Sequence, residues 1–243
     1  MTVVSSAIAV FETIEIRNGR PFALTRHLQR LRSSAAQLKL LPELPEDQEL
    51  ALGIEQVCQA WGAEPGRLRV TFSDTLTLAV SAMTIQRSPI ALRTSSFRCD
   101  PDSALAGLKT SGYSPNVALL AASSVSAEVV FANLHGDLCS AALSNVFVVL
   151  DGQLHTPDLS SGCRPGVTRE LLLEALAGTK HPALESAIGF SELQRAEELF
   201  VVSTFRQVQP VHLLDFQELP TQRPVTEFVQ KCFDHTYGSL IDP

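Results

Sequence analysis

Apolar and polar residues follow two periods along the chain, one typical of strands and one typical of helices. The run Val10–Ile16 is mostly apolar and β-branched, which predicts a strand, and the turn-forming pair Asn18-Gly19 follows it. Apolar residues then recur at helical spacing, at Leu28, Leu31, Ala35 and Leu38. We therefore predict a helix that begins with Thr25 as its N-cap and ends before Pro42.

The next segments complete a small unit of mixed structure. A second helix is predicted over residues 46–61, because Gly62 supplies a typical helix end. Two apolar, β-branched runs, Arg67–Phe72 and Leu76–Ile85, predict strands. The dipeptide Ser88-Pro89 then reads as a connection. Residues 1–87 are thus predicted to form a small α+β domain.

The remaining residues, 88–243, predict a larger domain of mixed strands and helices. Strands are predicted over Ile90–Phe97, Glu128–Asn133, Ser144–Leu150, Gln153–Thr156, Leu199–Ser203 and Val208–Leu214. Helices are predicted over Asn116–Ser124 (with Ser114 as N-cap and Pro115 at the first helical position), from Pro165-Gly166 through Leu176, over Ser191–Ala196 and over Val225–Phe233. The fold class expected for the whole chain is therefore α/β, in two domains.

Composition excludes several classes of protein. The 243 residues include 45% hydrophobic residues, enough for a sizeable core. With 26 acidic against 19 basic residues the net charge is −7, which argues against a nucleic-acid-binding protein. A local cluster of hydrogen-bond donors could still bind an anion. The amino terminus lacks a basic signal-like region, and no apolar run is long enough to predict a membrane span.

Cysteine and histidine usage points to a reduced compartment and away from metal binding. The five cysteines are scattered without a C-x-x-C pair, so we expect free thiols in a cytoplasmic protein. The six histidines form no H-E-x-x-H or mixed Cys/His ligand pattern, and no metal site is expected.

Lys109 is the strongest single candidate for chemistry. It is the sole charged residue between Ser103 and Ala127. A lysine among neutral neighbours can be partly desolvated, which lowers the pKa of its amine and makes it a nucleophile toward a carbonyl. The alternative is an exposed loop lysine whose neighbours happen to be neutral.

Three further segments could bind anions. Gly166 at a predicted helix start would let backbone N–H groups approach a phosphate, although many helices begin this way without a ligand. Arg30 lies beside the apolar stripe of the first predicted helix, where a solvated position is equally compatible. Thr204 and Arg206 follow an apolar strand and could bind phosphate or carboxylate, or simply form a turn.

The order of these features resembles one family, the class IV aminotransferases, which are fold-type IV pyridoxal-phosphate enzymes. The resemblance runs from about Val10 to Val211. Its motifs are Phe11-Glu12-Thr13, His27-x-x-Arg30-Leu31, Lys109-Thr110-x-x-Tyr113-x-Pro115-Asn116, Ser144-Asn145-Val146-Phe147, Asp151-Gly152 with Thr156-Pro157, Gly166-Val167-Thr168-Arg169, and Glu198-Leu199-Phe200 through Pro210-Val211. Each motif is weak alone, but their shared order is specific.

The resemblance implies a cofactor and a set of site residues. The cofactor would be pyridoxal 5'-phosphate, bound as a Schiff base by Lys109, which would also shuttle protons. Arg30, Thr204 and the backbone N–H groups of Val167 and Thr168 would bind its phosphate. Arg206 would bind a substrate carboxylate. The family also implies a homodimer acting on a small-molecule substrate.

One position departs from the family pattern. Ser140 stands where the family has a glutamate that pairs with the pyridine nitrogen of the cofactor, and a serine cannot hold a proton there by charge. This departure counts against full amino transfer. Within the family, the chain resembles 4-amino-4-deoxychorismate lyase, which forms 4-aminobenzoate and pyruvate in folate synthesis. Three features carry that resemblance: the short chain, the opening from Phe11-Glu12-Thr13 to Arg20-Pro21-Phe22-Ala23-Leu24-x-Arg26-His27, and the run Ser203-Thr204-Phe205-Arg206-x-Val208-x-Pro210-Val211. The alternatives are an aminotransferase for D- or branched-chain amino acids, and a family member that has lost turnover.

Overall fold

The protein is described here by a computed structural model, which covers residues 8–122 and 128–243. These residues divide into two units. The first unit comprises residues 8–84, 108–114 and 240–243, and the second unit comprises residues 85–107, 115–122 and 128–239. The predicted domains 1–87 and 88–243 stay a prediction, and each unit is described below by itself.

The first unit is built on an antiparallel sheet. Its strands, within the described residues, are β1 (Val10–Arg17), β2 (Arg20–Pro21), β3 (Gly66–Phe72) and β4 (Leu76–Ala82), in the order β2-β1-β3-β4. Asn18 and Gly19 both have positive φ, as the predicted turn between β1 and β2 requires. On β3 buried and more exposed residues alternate, because every second side chain points toward the core.

Two helices cover the core face of this sheet. They are α1 (Leu24–Gln37) and α2 (Asp47–Trp61), and α2 ends at Gly62 with positive φ, as predicted. Their apolar stripes pack on the even-numbered residues of β1 and β3. The buried core consists of Val10, Ile14, Ile16, Leu24, Leu28, Leu31, Ala35, Leu50, Ile54, Cys58, Leu68, Val70 and Phe72.

The predicted N-cap of α1 is wrong. The N-cap is Ala23, in a left-handed conformation and without a side-chain hydrogen bond. Thr25 lies inside the first turn, where its backbone N–H donates to Oδ1 of Asp242 at 3.0 Å and its hydroxyl donates to Oδ2 of the same carboxylate. The helix start is therefore neutralised by a carboxylate from the far end of the chain, which local sequence could not indicate.

The second unit contains a larger mixed sheet. Its strands are β5 (Ile90–Cys99), β6 (Glu128–Asn133), β7 (Leu138–Ala141), β8 (Asn145–Leu150), β9 (Gln153–Pro157), β10 (Ala183–Ser186), β11 (Glu198–Ser203), β12 (Gln207–Leu214) and β13 (Gln217–Glu218). Over the residues described, the order is β10-β9-β8-β11-β12-β5-β6-β7, with β13 paired to β12. Beyond α2, the α-helices in the described part of the chain are α3 (Ser114–Ala122), α4 (Val167–Leu176) and α5 (Pro224–Tyr237).

The central strands β8 and β11 are buried along nearly their whole length, because both faces of the sheet are covered. On one face Val146, Val148 and Val201 join the main apolar cluster. On the other, Phe147 and Phe200 stack with ring centroids 5.1 Å apart. Helices α4 and α5 pack against β11.

Glu198 shows why an acidic residue stands at the start of a buried strand. Its carboxylate is 5% exposed and accepts hydrogen bonds from the backbone N–H groups of Val225 and Thr226, at 3.0 and 2.7 Å. These are unsatisfied donors of the first turn of α5, so Glu198 neutralises the positive end of that helix and fixes it to the sheet.

Most predicted elements are confirmed to within a few residues, and four of the described strands were missed, of which β2 and β13 have only two residues each. Strands β7 and β10 are four residues each, too short to show an alternating pattern. The helix predicted over Ser191–Ala196 is a 3-10 helix over Phe190–Arg195. The predicted end of α3 at Ser124 lies outside the described residues. Among the helices described, none is both long and apolar enough to cross a membrane.

Candidate active site

In the first unit, the segment that carries Lys109 runs beside the beginning of β1. Strand β2 pairs only with the last two residues of β1, so the earlier part of that edge is open to another partner. The segment 109–111 takes this place: the backbone N–H of Phe11 donates to the carbonyl of Lys109 at 2.9 Å, and the N–H of Ser111 donates to the carbonyl of Ala9 at 2.7 Å. Thr110 and Val10 form the intervening β-bridge. The backbone of Lys109 is therefore held by the sheet.

The side chain of Lys109 lies over an aromatic ring that also contacts a second cation. Its Nζ is 4.3 Å from the ring centroid of Phe11. The Cζ atom of Arg69 is 3.6 Å from the same centroid. Partial burial lowers the pKa of Arg69 below its ordinary value. Lys109 is half-buried, so it is not the fully exposed loop lysine of the alternative interpretation. Its predicted role as the nucleophile stays a prediction.

Arg30 is held by the buried carboxylate of Glu12. This residue belongs to the motif Phe11-Glu12-Thr13, which did not indicate its role. Nε of Arg30 donates to Oε1 of Glu12 at 2.7 Å, and Nη2 donates to Oε2 at 2.6 Å. Glu12 is 1% exposed, and Arg30 and His27 hold the pKa of its carboxyl far below the usual range despite its burial. The two parallel hydrogen bonds fix the plane of the guanidinium group.

His27 completes this cluster from the same helix. Its Nδ1 lies 2.7 Å from Oε2 of Glu12. Burial lowers the pKa of His27; the carboxylate of Glu12 acts in the opposite direction, and the positive charges of Arg30 and Lys109 add to the effect of burial. The net lowering favours the neutral imidazole, whose proton the carboxylate partner requires to be on Nδ1. An acidic residue inside the apolar strand β1 was the signal in the sequence for this cluster.

In the second unit, Ser144 forms hydrogen bonds with both Ser140 and a buried acid. The hydroxyl of Ser140 donates to the carbonyl of Ser144 at 2.9 Å. The hydroxyl of Ser144 in turn donates to Oε1 of Glu128 at 2.7 Å. Glu128 is fully buried, and this burial raises the pKa of its carboxyl. Glu128 was not among the candidate site residues predicted from the sequence.

Arg206 is the cation of this cluster. Its Nε lies 3.5 Å from Oε1 of Glu128, and its positive charge partly offsets the effect of burial on the pKa of that carboxyl. Its Nη1 donates to the side-chain carbonyl of Gln209, whose amide donates to the carbonyl of Ser88 at 2.9 Å. Arg206 is thus held in place by protein groups, in the turn between β11 and β12 that also contains the half-buried Thr204.

The beginning of α4 has the predicted glycine, Gly166, with Asn145 close beside it. The first intrahelical hydrogen bond runs from the N–H of Glu170 to the carbonyl of Gly166, so the N–H groups of Val167 and Thr168 have no partner within the helix. A Cβ atom at Gly166 would lie 2.1 Å from Oδ1 of Asn145. The amide of Asn145 also donates to the carbonyl of Arg164 at 2.8 Å and so shapes this turn.

The structure therefore gathers the predicted site residues into separate groups within the two units. Lys109 and Arg30 belong to the first unit, together with the newly found Glu12 and His27. Ser140 and Arg206 belong to the second unit and are connected through Ser144 and Glu128. Val167, Thr168 and Thr204 also lie in the second unit. Within the described residues there is no cluster of three or more side chains suited to a metal ion.

Comparison with known proteins identifies the family. The family model for class IV aminotransferases matches residues 9–214, so this chain belongs to that family. A "probable branched-chain-amino-acid aminotransferase" of Thermotoga maritima is 30% identical and covers 93% of this chain and 85% of its own length. A bifunctional aminodeoxychorismate lyase and D-amino acid transaminase of Mycobacterium tuberculosis is 28% identical and covers 93% of this chain and 88% of its own length.

A solved structure supports the same assignment. The pyridoxal-phosphate-bound form of a hypothetical aminotransferase from Mycobacterium tuberculosis is 27% identical, with a TM-score of 0.84 over 93% of this chain and 87% of that one. The members of the family are pyridoxal-phosphate enzymes. The predicted family, the α/β architecture of fold-type IV and the cofactor are therefore confirmed.

Proposed function

We propose that this enzyme is a lyase that converts 4-amino-4-deoxychorismate to 4-aminobenzoate and pyruvate. The observation that carries the proposal is the hydrogen bond from the hydroxyl of Ser140 to the carbonyl of Ser144. Because the hydroxyl proton is used there, Ser140 has lone pairs to offer to the ring nitrogen of the cofactor. A neutral oxygen stabilises a protonated ring nitrogen less than a carboxylate does.

A cofactor ring whose nitrogen is less strongly protonated withdraws electrons less well. Such a ring favours a reaction whose product is itself strongly stabilised. The lyase reaction ends in an aromatic ring, which provides part of its driving force. Amino transfer has no such product and depends more on the charge state of the cofactor. The M. tuberculosis relative carries both activities in its name, so family membership alone does not separate the two reactions.

Each unit offers hydrogen-bond donors of the kind that bind a phosphate group. Arg30 has a guanidinium plane fixed by Glu12, and the start of α4 supplies the N–H groups of Val167 and Thr168. We assign the phosphate to these groups and to Thr204. Pyridoxal phosphate, when bound, supplies the aldehyde that condenses with an amine and the ring that withdraws electrons from the adjacent carbon.

The remaining steps are assigned to the protein side chains. Lys109 would hold the aldehyde of the bound cofactor, and its amine would take the proton from the amine-bearing carbon of the substrate and return a proton to the departing enolpyruvyl group. Arg206 binds a carboxylate of the substrate, which has two. The Glu128 carboxylate beside Arg206 lowers the positive charge of this site and thereby limits how tightly it holds the anionic product.

The proposal is tested by incubating the loaded enzyme with 4-amino-4-deoxychorismate and no keto acid. We expect equimolar 4-aminobenzoate and pyruvate, measured by chromatography and a coupled pyruvate assay. Lys109→Ala should lose both products and the visible absorption band of lysine-bound pyridoxal phosphate. Lys180→Ala is the matched control, because Lys180 is exposed and lies over Phe228. A parent enzyme that binds the cofactor and forms no 4-aminobenzoate contradicts the proposal.

The second candidate is an aminotransferase for D- or branched-chain amino acids. It is favoured by Glu128, a buried carboxylate connected to Ser140 through Ser144. Formation of glutamate from 2-oxoglutarate with D-alanine or L-leucine as amino donor would establish it. A family member without turnover, the third possibility, would fail both assays. A homodimer, a cytoplasmic location and a role in folate synthesis remain part of our proposal, and sedimentation analysis tests the first.

A further inference from the structure

Two cysteine sulfurs meet beside Ser140 in the second unit. The Sγ atoms of Cys99, at the end of β5, and Cys139, on β7, are 3.1 Å apart. Strand β6 lies between β5 and β7 in the sheet, so regular pairing would not bring these side chains together. A local irregularity of the sheet must account for the contact.

The irregularity is a β-bulge at Cys139. In the pairing of β6 with β7, Phe131 is opposite Ser140 and Ala132 is opposite Leu138, which leaves Cys139 as the extra residue. A bulge bends the strand and redirects the side chain of the extra residue. The pairing of β5 with β6 also shifts, between Thr94 and Arg98, just before Cys99. One shift therefore falls on Cys139 itself, and the other lies immediately before Cys99.

The environments of the two thiols differ. Cys99 is half-buried, whereas Cys139 is 2% exposed. The hydrogen bond with Cys139 lowers the pKa of Cys99, and the same contact together with burial raises the pKa of Cys139. Cys99 is therefore the thiol that ionises first and that an oxidant reaches first. Cys163 packs in the same apolar cluster, but burial raises its pKa, and its Sγ lies 3.4 Å from the carbonyl of Asp158.

We propose that Cys99 and Cys139 form a reversible disulfide when the protein meets a hydroperoxide. The Cys99 thiolate attacks the terminal peroxide oxygen, the O–O bond breaks, and a sulfenic acid and an alcohol or water result. The sulfur of Cys139 then attacks the Cys99 sulfur, the S–O bond breaks, and water leaves with the thiol proton. The two sulfurs together lose two electrons, which reduce the peroxide. A dithiol reductant returns both cysteines to thiols and is itself oxidised to a disulfide.

The disulfide has a consequence for the neighbouring site, and this part rests on the proposed function. A disulfide bond is about 2.05 Å long, so the sulfurs must approach by about 1 Å. Cys139 directly precedes Ser140, whose hydroxyl we assign to the cofactor ring. The bond displaces Ser140 from its position and weakens pyridoxal-phosphate binding by about fivefold, the equilibrium effect of one hydrogen bond.

Peptide mapping of the full-length apo protein tests the disulfide. The protein is treated with hydrogen peroxide, free thiols are blocked by alkylation, and the chain is cleaved before each aspartate. This cleavage separates all five cysteines, and it places Cys99 in peptide 74–99, Cys139 in 137–150 and Cys163 in 158–214. Trypsin would not serve, because Arg164 precedes a proline and Cys139 and Cys163 would stay on one peptide.

We expect peptides 74–99 and 137–150 to be joined after oxidation and separated again by dithiothreitol. Cys99→Ser and Cys139→Ser should abolish the joined peptide, whereas Cys163→Ser should keep it. Cys99 joined to peptide 158–214, or alkylated or oxidised to a sulfinic acid without any link, would overturn the proposal. Cys99 is only half-buried, so we expect Cys99→Ser to fold. It therefore provides the control if Cys139→Ser does not accumulate.

Cofactor titration separates the disulfide from its effect on the site. Reduced and oxidised parent protein are titrated with pyridoxal phosphate, with peroxide-treated Cys99→Ser as the control. Weaker binding by the oxidised parent alone supports the full inference. Equal binding by both forms of the parent disproves the effect on the site, while the peptide map still decides the disulfide. A reduced parent that binds no cofactor contradicts the proposed function, not the disulfide.

Discussion

Arg30 on helix α1 and Glu12 on strand β1 form a two-point ion pair inside the first unit, with hydrogen bonds of 2.7 and 2.6 Å. The carboxylate is buried, and the guanidinium is 14% exposed. Such a pair contributes little net stability relative to an apolar pair, but loss of one partner leaves an uncompensated buried charge. Its value here is positional, because it fixes the arginine that we assign to the cofactor phosphate.

Glu12→Gln should therefore destabilise the protein strongly. Removing the charge of Glu12 leaves Arg30 without its buried counter-ion, and we expect the free energy of unfolding to fall by about 3 kcal/mol. Asp47→Asn is the control, since the Asp47 carboxylate pairs with Arg32 but is 71% exposed, and its loss should cost less than about 1 kcal/mol. Urea unfolding of both variants measures the difference. Equal losses would show that the Glu12 pair acts like a surface pair.

The cluster around His27 should make stability depend on pH. Folded His27 has a pKa below 6.5, whereas in the unfolded chain it titrates near that value. Below pH 6.5 the unfolded state therefore binds more protons, and stability falls with decreasing pH by up to about 1.4 kcal/mol per unit. Glu12, whose folded pKa is also lowered, adds a loss of the same sign below about pH 4.5.

His27→Asn tests this pH dependence. Asparagine keeps a donor toward Glu12 and does not titrate. Urea midpoints of the parent should drop between pH 7.5 and 5.5, and those of the variant should drop less. Glu128 acts in the opposite direction, because its raised pKa reduces stability as pH rises above about 4.5. Parallel curves for parent and variant would exclude His27 as the source.

Gly166→Ala should damage the start of α4. The added Cβ would lie 2.1 Å from Oδ1 of Asn145, so the turn or Asn145 must move. We expect pyridoxal-phosphate affinity to fall by about tenfold, corresponding to about 1.4 kcal/mol of binding free energy. Spectroscopic titration with the cofactor measures this affinity.

Gly53→Ala is the control. The new Cβ meets nothing within 4 Å on helix α2, and this variant should gain about 0.5–1 kcal/mol of stability with unchanged cofactor affinity. Similar affinities for the two variants would argue against a phosphate at α4.

Arg206→Gln should affect substrate binding more than cofactor binding. If Arg206 pairs with a substrate carboxylate, its loss should raise KM at least about tenfold and leave the cofactor spectrum unchanged. Arg195→Gln is the control, because Arg195 is 61% exposed and pairs with Asp151 on the surface. Steady-state kinetics with 4-amino-4-deoxychorismate distinguish the two variants. A fall in kcat at constant KM would instead indicate that Arg206 acts only through Glu128.

The sequence predicted the regular elements well where the pattern was long. The alternation in β3 and the apolar stripe of α1 were readable, because burial of one face imposes a period on the side chains. Short strands such as β7 gave no period to read. The N-cap of α1 was misplaced, because the carboxylate beside its first turn comes from Asp242 at the opposite end of the chain.

The candidate site was likewise predicted only in part from the sequence. Sequence motifs were sufficient to single out Lys109, Arg30 and the start of α4, because each motif is local. The roles of Glu12 and Glu128 became clear only from the tertiary structure, since an acidic residue within a strand can be exposed or buried according to what packs against it. The pKa of Glu12 is lowered, despite burial, because Arg30 and His27 both lie at hydrogen-bond distance from its carboxylate. The pKa of Glu128 is raised because burial outweighs the effect of Arg206, which lies farther away.

The sequence by itself determined the family, the cofactor and the order of the elements, since these depend on residue types and their spacing along the chain. Tertiary structure alone decided that Arg30 is fixed by Glu12, that Ser140 is connected to Glu128, and that Cys99 meets Cys139. Each of these contacts joins residues that are far apart in sequence or out of regular register. Pairing between strands and helices sets them, and a local pattern carries no information on such distances.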